Sequence, residues 1–224
     1  MDSDGHVKIT DFGLCKEGIG QEDTTSTFCG TPEYLAPEIL EEENYGRSVD
    51  WWALGVVMYE MMVGKPPFGP TNNMEKLFHN ILHQPVYFPS FLSEQGKSIL
   101  EGLLCRDPTQ RLGCGKDDGD EIIRHPFFAG IDFEKLLNRS YQPPFKPKVD
   151  DPTDVRNFDK EFTSLPAILT PESVSTQAIK DFEDFTFVSE TGNSLIFIYF
   201  ITLYISFTHY SPKKKKVIKK EAKS

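Results

Sequence analysis

Hydrophobic positions change rhythm several times along the 224 residues. After a turn signal at Asp4-Gly5, Val7 and Ile9 alternate with Lys8 and Thr10, the period of a strand with one buried face. A hairpin needs an earlier strand and none stands before Asp4, so the sequence is expected to begin in mid-motif. Residues 18–47 have no period and are dense in Gly, Thr, Ser and Pro; so long a connection inside a domain is usually functional. From Ser48 to Gly64 apolar side chains cover nearly the whole helical circumference. That pattern predicts a helix through the middle of a core, with Ser48 as N-cap, Gly64 just past the end, and Trp52 and Met61 inside. Met74, Leu77, Phe78, Ile81 and Leu82 recur at helical spacing, and Ile99, Leu100, Leu103 and Leu104 do so behind a cap at Ser93. A short helix is predicted over Asp118–Arg124, stopped by Pro126. From about Ala129 prolines cluster and Phe residues stand singly among charges, the texture of an extended segment anchored on something else.

Composition narrows the class. With 38% hydrophobic and 26% charged residues the chain is neither wholly disordered nor fibrous. Its net charge of −10 is unevenly spread. The last twelve residues hold seven Lys and one Glu, and the remainder, with 17 basic against 33 acidic side chains, stands at −16. An acidic body argues against nucleic acid as a partner. Four cysteines, Cys15, Cys29, Cys105 and Cys114, form no CxxC pair, and no secretory signal precedes them, so reduced thiols are expected. The histidines do not fall at metal-ligand spacing with them.

The chemistry lies in an ordered set of motifs. Asp11-Phe12-Gly13 is followed twenty residues on by Thr31-Pro32-Glu33, then by Ala36-Pro37-Glu38, by Asp50 at the start of the apolar helix, and by Arg111. This order resembles the C-lobe of protein kinases, with an activation segment from Asp11 to Glu38. Thr27-Phe28-Cys29-Gly30-Thr31-Pro32-Glu33-Tyr34-Leu35-Ala36-Pro37-Glu38 resembles the AGC class of Ser/Thr kinases: protein kinase C, its C-related relatives and protein kinase B. The later segment agrees. Pro143-Pro144-Phe145-Lys146-Pro147 resembles the stretch with which the AGC tail grips the C-lobe. Asn157-Phe158-Asp159 resembles the active-site tether, Leu169-Thr170-Pro171 the turn motif, and Phe182-Glu183-Asp184-Phe185-Thr186-Phe187 the hydrophobic motif.

The resemblance implies a mainly α fold: a partial protein kinase domain over residues 1–128 without an N-lobe, an AGC tail over 129–190, and an atypical apolar then Lys-rich tail over 191–224. It implies ATP and Mg2+ as cofactors of the complete kinase, with Asp11 as a Mg2+ ligand and Phe158 reaching the adenine pocket. Phe12 is expected to pack inward and set where Asp11 points, with Gly13 as the flexible hinge. Thr27, Thr170 and Thr186 are the implied phosphosites. A phosphate on Thr27 would add about 1.5–2 negative charges and pair with an Arg. Thr31 matches the residue that marks Ser/Thr specificity. Glu38 and Arg111 are implied to form a buried ion pair, and Asp50 to bond the backbone of the catalytic loop.

Other parts of a kinase site are not found in these residues. Gly113-x-Gly115-x-x-x-Gly119 is one residue too long for a phosphate loop, Arg106-Asp107 lacks the Asn a catalytic loop needs, and no Val-Ala-x-Lys strand occurs. The chain alone is therefore expected to be inactive and to bind little ATP. The alternative function is a non-catalytic binding module that presents the C-lobe and Phe182, Phe185 and Phe187 to partners. Those partners would be an upstream kinase of the phosphoinositide-dependent type, besides protein Ser/Thr substrates. The run 195–207 is 13 residues of uncharged, mostly apolar sequence, short of the ~20 that span a bilayer. Pro212-Lys213-Lys214-Lys215-Lys216-Val217 resembles a nuclear localisation signal. A cytoplasmic location is expected, with nuclear or membrane-associated placement as the alternatives.

Overall fold

The computed structural model describes residues 1–69 and 71–166. Within them run α1 (Pro37–Leu40), α2 (Ser48–Val63), α3 (Met74–His83), α4 (Glu94–Leu103), α5 (Gly119–Ile123), α6 (Phe133–Leu137) and α7 (Lys160–Thr163). Tight 3-10 turns stand at Pro32–Tyr34 and Pro126–Phe128. Thr170, Phe182, Phe185, Thr186 and Phe187 lie outside the described residues, as does the run 195–207.

α2 is the axis of the core. Trp52 and Val56 are closed to solvent and Tyr59 is 1% exposed. Across from them Ile99, Leu100 and Leu103 of α4 are equally closed, and each such side chain contributes about 1.5–3 kcal/mol through burial. Phe128 and Ile122 extend the core beneath α4 and α5. α2 stops at Gly64, whose φ of 86° lets its N–H close on the Glu60 carbonyl at 2.7 Å. α3 and α4 start at side-chain caps: Asn73 accepts from the Lys76 N–H at 2.9 Å, and Ser93 from the Gly96 N–H at 3.0 Å.

Three expectations are corrected. Residues 6–10 form no strand, although Val7 and Ile9 are half-buried while Lys8 and Thr10 are exposed. A strand needs a partner for its backbone groups. Among the described residues the ladder contact is instead an isolated antiparallel bridge between Thr25 and Tyr45. The turn does form: Gly5 at φ 94° lies so close to the tail that a Cβ there would sit 2.2 Å from the Phe145 carbonyl oxygen. Met61 is 37% exposed rather than inside. It stands about two and a half turns from Trp52, on the opposite face of α2. Ser48 does not cap α2; Arg47 holds that position without a side-chain bond, and the Ser48 hydroxyl donates to Glu38 Oε1 at 3.0 Å.

No helix among the described residues is long and apolar enough to cross a membrane.

Candidate functional site

The segment from Asp11 to Glu38 runs over the surface and dives into the core at its end. Asp11 adopts φ 64°, an uncommon conformation for a side chain other than Gly, and is exposed. Phe12 does not pack inward; it is 65% exposed and Leu14 67%, because no apolar pocket among the described residues receives them. Gly13 follows in the turn closed by the Cys15 N–H on the Phe12 carbonyl at 3.1 Å.

Farther along, Thr25 and Tyr45 exchange both backbone hydrogen bonds at 2.9 Å. The Tyr45 hydroxyl donates to the Thr27 carbonyl. The Thr27 side chain is exposed, and among the described residues no arginine is bonded to it. The nearest in sequence, Arg47, is engaged elsewhere, by Asp118 at 2.6 Å and the Gly115 carbonyl at 3.4 Å. Gln21 reaches the same carbonyl, also at 3.4 Å, so the segment is tied to the loop before α5. Thr31 is exposed and precedes the 3-10 turn Pro32–Tyr34. Tyr34 anchors that turn by donating to Glu60 Oε2 at 3.0 Å, a bond that pushes its phenol above the ordinary value.

The end of the segment is fixed by charge. Arg111 Nη1 and Nη2 donate to Glu38 Oε1 and Oε2 at 2.6 and 2.9 Å, in a site where the Arg111 side chain is fully closed to solvent. The other three N–H groups of Arg111 reach the carbonyls of Cys105 at 2.8 Å, Ser48 at 2.9 Å and Arg106 at 3.2 Å. All five donors of the guanidinium are thus satisfied. Trp52 lies over the same guanidinium, 5.3 Å from its centre, and stacks on Phe68 at 5.8 Å.

Asp50, in the first turn of α2, has solvent on one side and protein on the other. Its residue surface is open, yet the surrounding protein desolvates the carboxyl enough to push it above the usual carboxylate range. No hydrogen bond to that carboxylate is made among the described residues, so the backbone partner implied for it is not among them.

Phe158 is 67% exposed, and no contact joins it to Asp11. Its neighbours hold the tail together: Asn157 donates to the Lys148 carbonyl at 3.0 Å and Asp159 caps α7. Pro143 and Phe145 press on the Gly5 turn, where Lys146 pairs with Asp4 at 2.8 Å. The Gly113–Gly115 loop is not a phosphate cradle. The Glu121 carboxylate accepts the Gly113 N–H at 3.2 Å and fills the space beside Gly115. Arg106 serves α3 rather than catalysis: it donates to the carbonyls of Ile81, Asn80 and Gln84 at the helix end.

The Protein kinase domain family matches residues 1–128, and the Protein kinase C terminal domain matches residues 149–187. The chain belongs to the protein kinase family, in its AGC class. It is 52% identical to Protein kinase C of Drosophila melanogaster over 192 residues, which cover 84% of this chain and 26% of that protein. It is 57% identical to RAC-beta serine/threonine-protein kinase B of Xenopus laevis, and 54% to human RAC-beta serine/threonine-protein kinase, over 171 residues each. Those matches cover 76% of this chain and 35% of each relative. The kinase chain thus spans about a quarter to a third of the length of these relatives. Kinases of this family use ATP and Mg2+. Among the described residues no three His, Cys, Asp or Glu side chains converge on a metal position; Asp11 is a single carboxylate.

Tyr45 and Arg47 were not singled out by spacing. Both stand at the end of the unperiodic stretch 18–47, where neither alternation nor helical spacing marks a residue.

Proposed function

We propose that this chain supplies the activation segment, the helical scaffold and the C-terminal tail of a Ser/Thr protein kinase, and that its 224 residues by themselves transfer no phosphate. The observation that carries the reading is the saturated Glu38–Arg111 pair. It fastens the end of the Asp11–Glu38 segment to α2 and the core, so the exposed residues before it extend from a rigid base. In phosphoryl transfer the protein mainly positions groups and neutralises charge on the phosphate oxygens. Asp11 could lend one oxygen to a divalent cation, which needs several, so the described donors do not fit Mg2+–ATP alone. In the complete kinase Asp11 would be one ligand among others, and Phe158 would meet the nucleotide.

Thr27, Thr170 and Thr186 are the proposed phosphoacceptors. The kinase acting on Thr27 would dock on Phe182, Phe185 and Phe187, whose burial in a partner's groove would be worth about 1.5–3 kcal/mol each. The match of residues 149–187 to the Protein kinase C terminal domain favours a second, compatible reading, in which the tail is a docking module for another kinase.

The test is transfer of labelled phosphate from ATP to a basic Ser/Thr peptide by the purified chain. No transfer above background is expected. Turnover that disappears in Asp11→Asn would show a complete site and overturn the reading.

A further inference from the structure

Tyr45 holds the stretch before Thr31 at several points. Its N–H and carbonyl pair with Thr25, each bond at 2.9 Å, and its hydroxyl donates to the Thr27 carbonyl. Its ring is half-buried against the core, so the grip is anchored from within. Burial pushes its phenol above the ordinary value, and the Cys29 thiol beside it adds to the effect. A second grip follows at once: the Phe28 ring stands edge-on to Phe78 of α3, with centroids 6.5 Å apart and planes at 72°. The Thr25 backbone and the Thr27 carbonyl are held while the Thr27 side chain faces solvent; Phe28, 57% exposed, adds only the edge of its ring.

An exposed hydroxyl is not yet a substrate. An enzyme that modifies or cuts a chain commonly takes it as an extended strand and uses backbone groups on both sides of the reacting residue. Here the Thr25 N–H and carbonyl and the Thr27 carbonyl are already committed to Tyr45, so those groups come free only when the stretch opens locally.

We propose that Tyr45 is a latch that gates Thr27: a second kinase reaches Thr27 only when Thr25 and Thr27 have left Tyr45. The inference rests on Thr27 being a phosphoacceptor. Once the stretch is free, the Thr27 hydroxyl oxygen attacks the γ-phosphorus of ATP bound to the second kinase. The new oxygen–phosphorus bond forms as the bond to the β-phosphate oxygen breaks. ADP leaves, and the hydroxyl proton passes to a base on that kinase. Tyr45 touches none of the reacting atoms and acts as a positioning residue.

The experiment compares the full chain with Tyr45→Phe, which keeps the ring and removes the hydroxyl. Each is incubated with ATP–Mg2+ and a purified, active kinase of the phosphoinositide-dependent type, and phosphate at Thr27 is followed by mass spectrometry. A synthetic peptide of residues 20–34, which has no Tyr45, serves as the unlatched reference. In a parallel arm without the second kinase, chymotrypsin cleavage after Phe28 reads the opening directly. In Tyr45→Phe both rates should rise about three- to tenfold, the range set by one hydrogen bond of ordinary net strength. The thermal midpoint of the helical core should not shift enough to explain such a change. Equal or slower modification of Thr27 in Tyr45→Phe overturns the gate, whatever the cleavage arm shows. Absence of phosphate at Thr27 in the full chain, in Tyr45→Phe and in the peptide alike overturns the reading beneath it, and the gate with it.

Discussion

Arg111 grips both carboxylate oxygens of Glu38 from a position fully closed to water, at 2.6 and 2.9 Å. The two residues are 73 apart in sequence, so the pair closes a long loop and joins the end of the Asp11–Glu38 segment to the start of α2, where Arg111 also holds the Ser48 carbonyl. The energetics of such a pair are asymmetric. Desolvation of two charges offsets much of their attraction, while removal of one partner strands the other. Arg111→Met should therefore lower stability by about 3–5 kcal/mol, read from urea unfolding, and Glu38→Leu with Arg111→Met should recover a good part of it. A double variant as unstable as the single one would mean that the guanidinium acts through its bonds to the Cys105, Ser48 and Arg106 carbonyls instead.

Two serines at helix starts should behave differently. Ser93 is an N-cap, and Ser93→Ala should cost about 1 kcal/mol. Ser48 donates to the buried Glu38 carboxylate, so Ser48→Ala leaves a charged acceptor short and should cost more, about 1.5–3 kcal/mol. Urea midpoints of the two variants check the order. Equal losses would return Ser48 to the role of an ordinary cap.

That contrast marks what the chain's pattern could and could not announce. Ser93, Gly64 and the apolar faces of α3 and α4 were legible because caps and helical spacing act over a few residues. The Glu38–Arg111 meeting was implied only by resemblance; no local spacing brings residues so far apart together. Ser48 departs from the cap its position predicts because a carboxylate from α1, outside any periodic pattern, takes its hydroxyl. Met61 turns outward although its neighbours in sequence are apolar: a stretch that covers the whole circumference gives no face to count from, and only the packing of α4 on the Gly55 side decides it. Phe12 was expected inside by analogy, and no apolar pocket among the described residues receives it. The Tyr45–Thr25 bridge joins two unperiodic stretches, where neither alternation nor helical spacing could signal a pairing.

Cys114 gives a pH prediction. Burial pushes its thiol up to about 11 from its ordinary value of 9.0. Between those values the folded chain keeps the proton and the unfolded chain loses it, so the unfolded state binds fewer protons and stability falls as pH rises from about 9 to 11. Below pH 9 the group contributes no slope. Cys114→Ala should flatten the decline in that window, checked by urea unfolding at several pH values. At pH 8 Cys114 should also be the slowest of the four thiols to react with an alkylating agent, and the exposed Cys15 the fastest. Fast labelling of Cys114 in the folded chain would show that its surroundings open readily.

Asp50 is a carboxyl that the described residues burden without satisfying. Desolvation raises its folded value above 3.8, so the charged form is disfavoured by folding. The sign follows: the folded chain holds the proton more tightly than the unfolded one, and the penalty appears as pH rises through 3.8 and persists at neutral pH. Asp50→Asn should therefore leave the chain as stable or slightly more stable at pH 7, by well under 1 kcal/mol for so open a group. A clear loss of stability would mean that the carboxylate already has a firm partner within the chain.

The run 195–207 and the lysines from Lys213 to Lys216 lie outside the described residues, yet their chemistry is testable. Ile, Phe, Tyr and Leu side chains of this run carry a large apolar surface with no charge among them. The lysines that follow favour an anionic surface, each by about 1 kcal/mol close to such a membrane. The full chain should therefore bind liposomes that contain anionic lipid, and should associate at concentrations where the chain ending at Glu190 stays monodisperse. Binding should weaken with added salt, because the lysine contribution is screened while the apolar one is not. Sedimentation of both proteins with anionic and neutral vesicles, with light scattering of each alone, decides the matter. Equal monodispersity and equal lack of binding would remove both the membrane and the association readings of this tail.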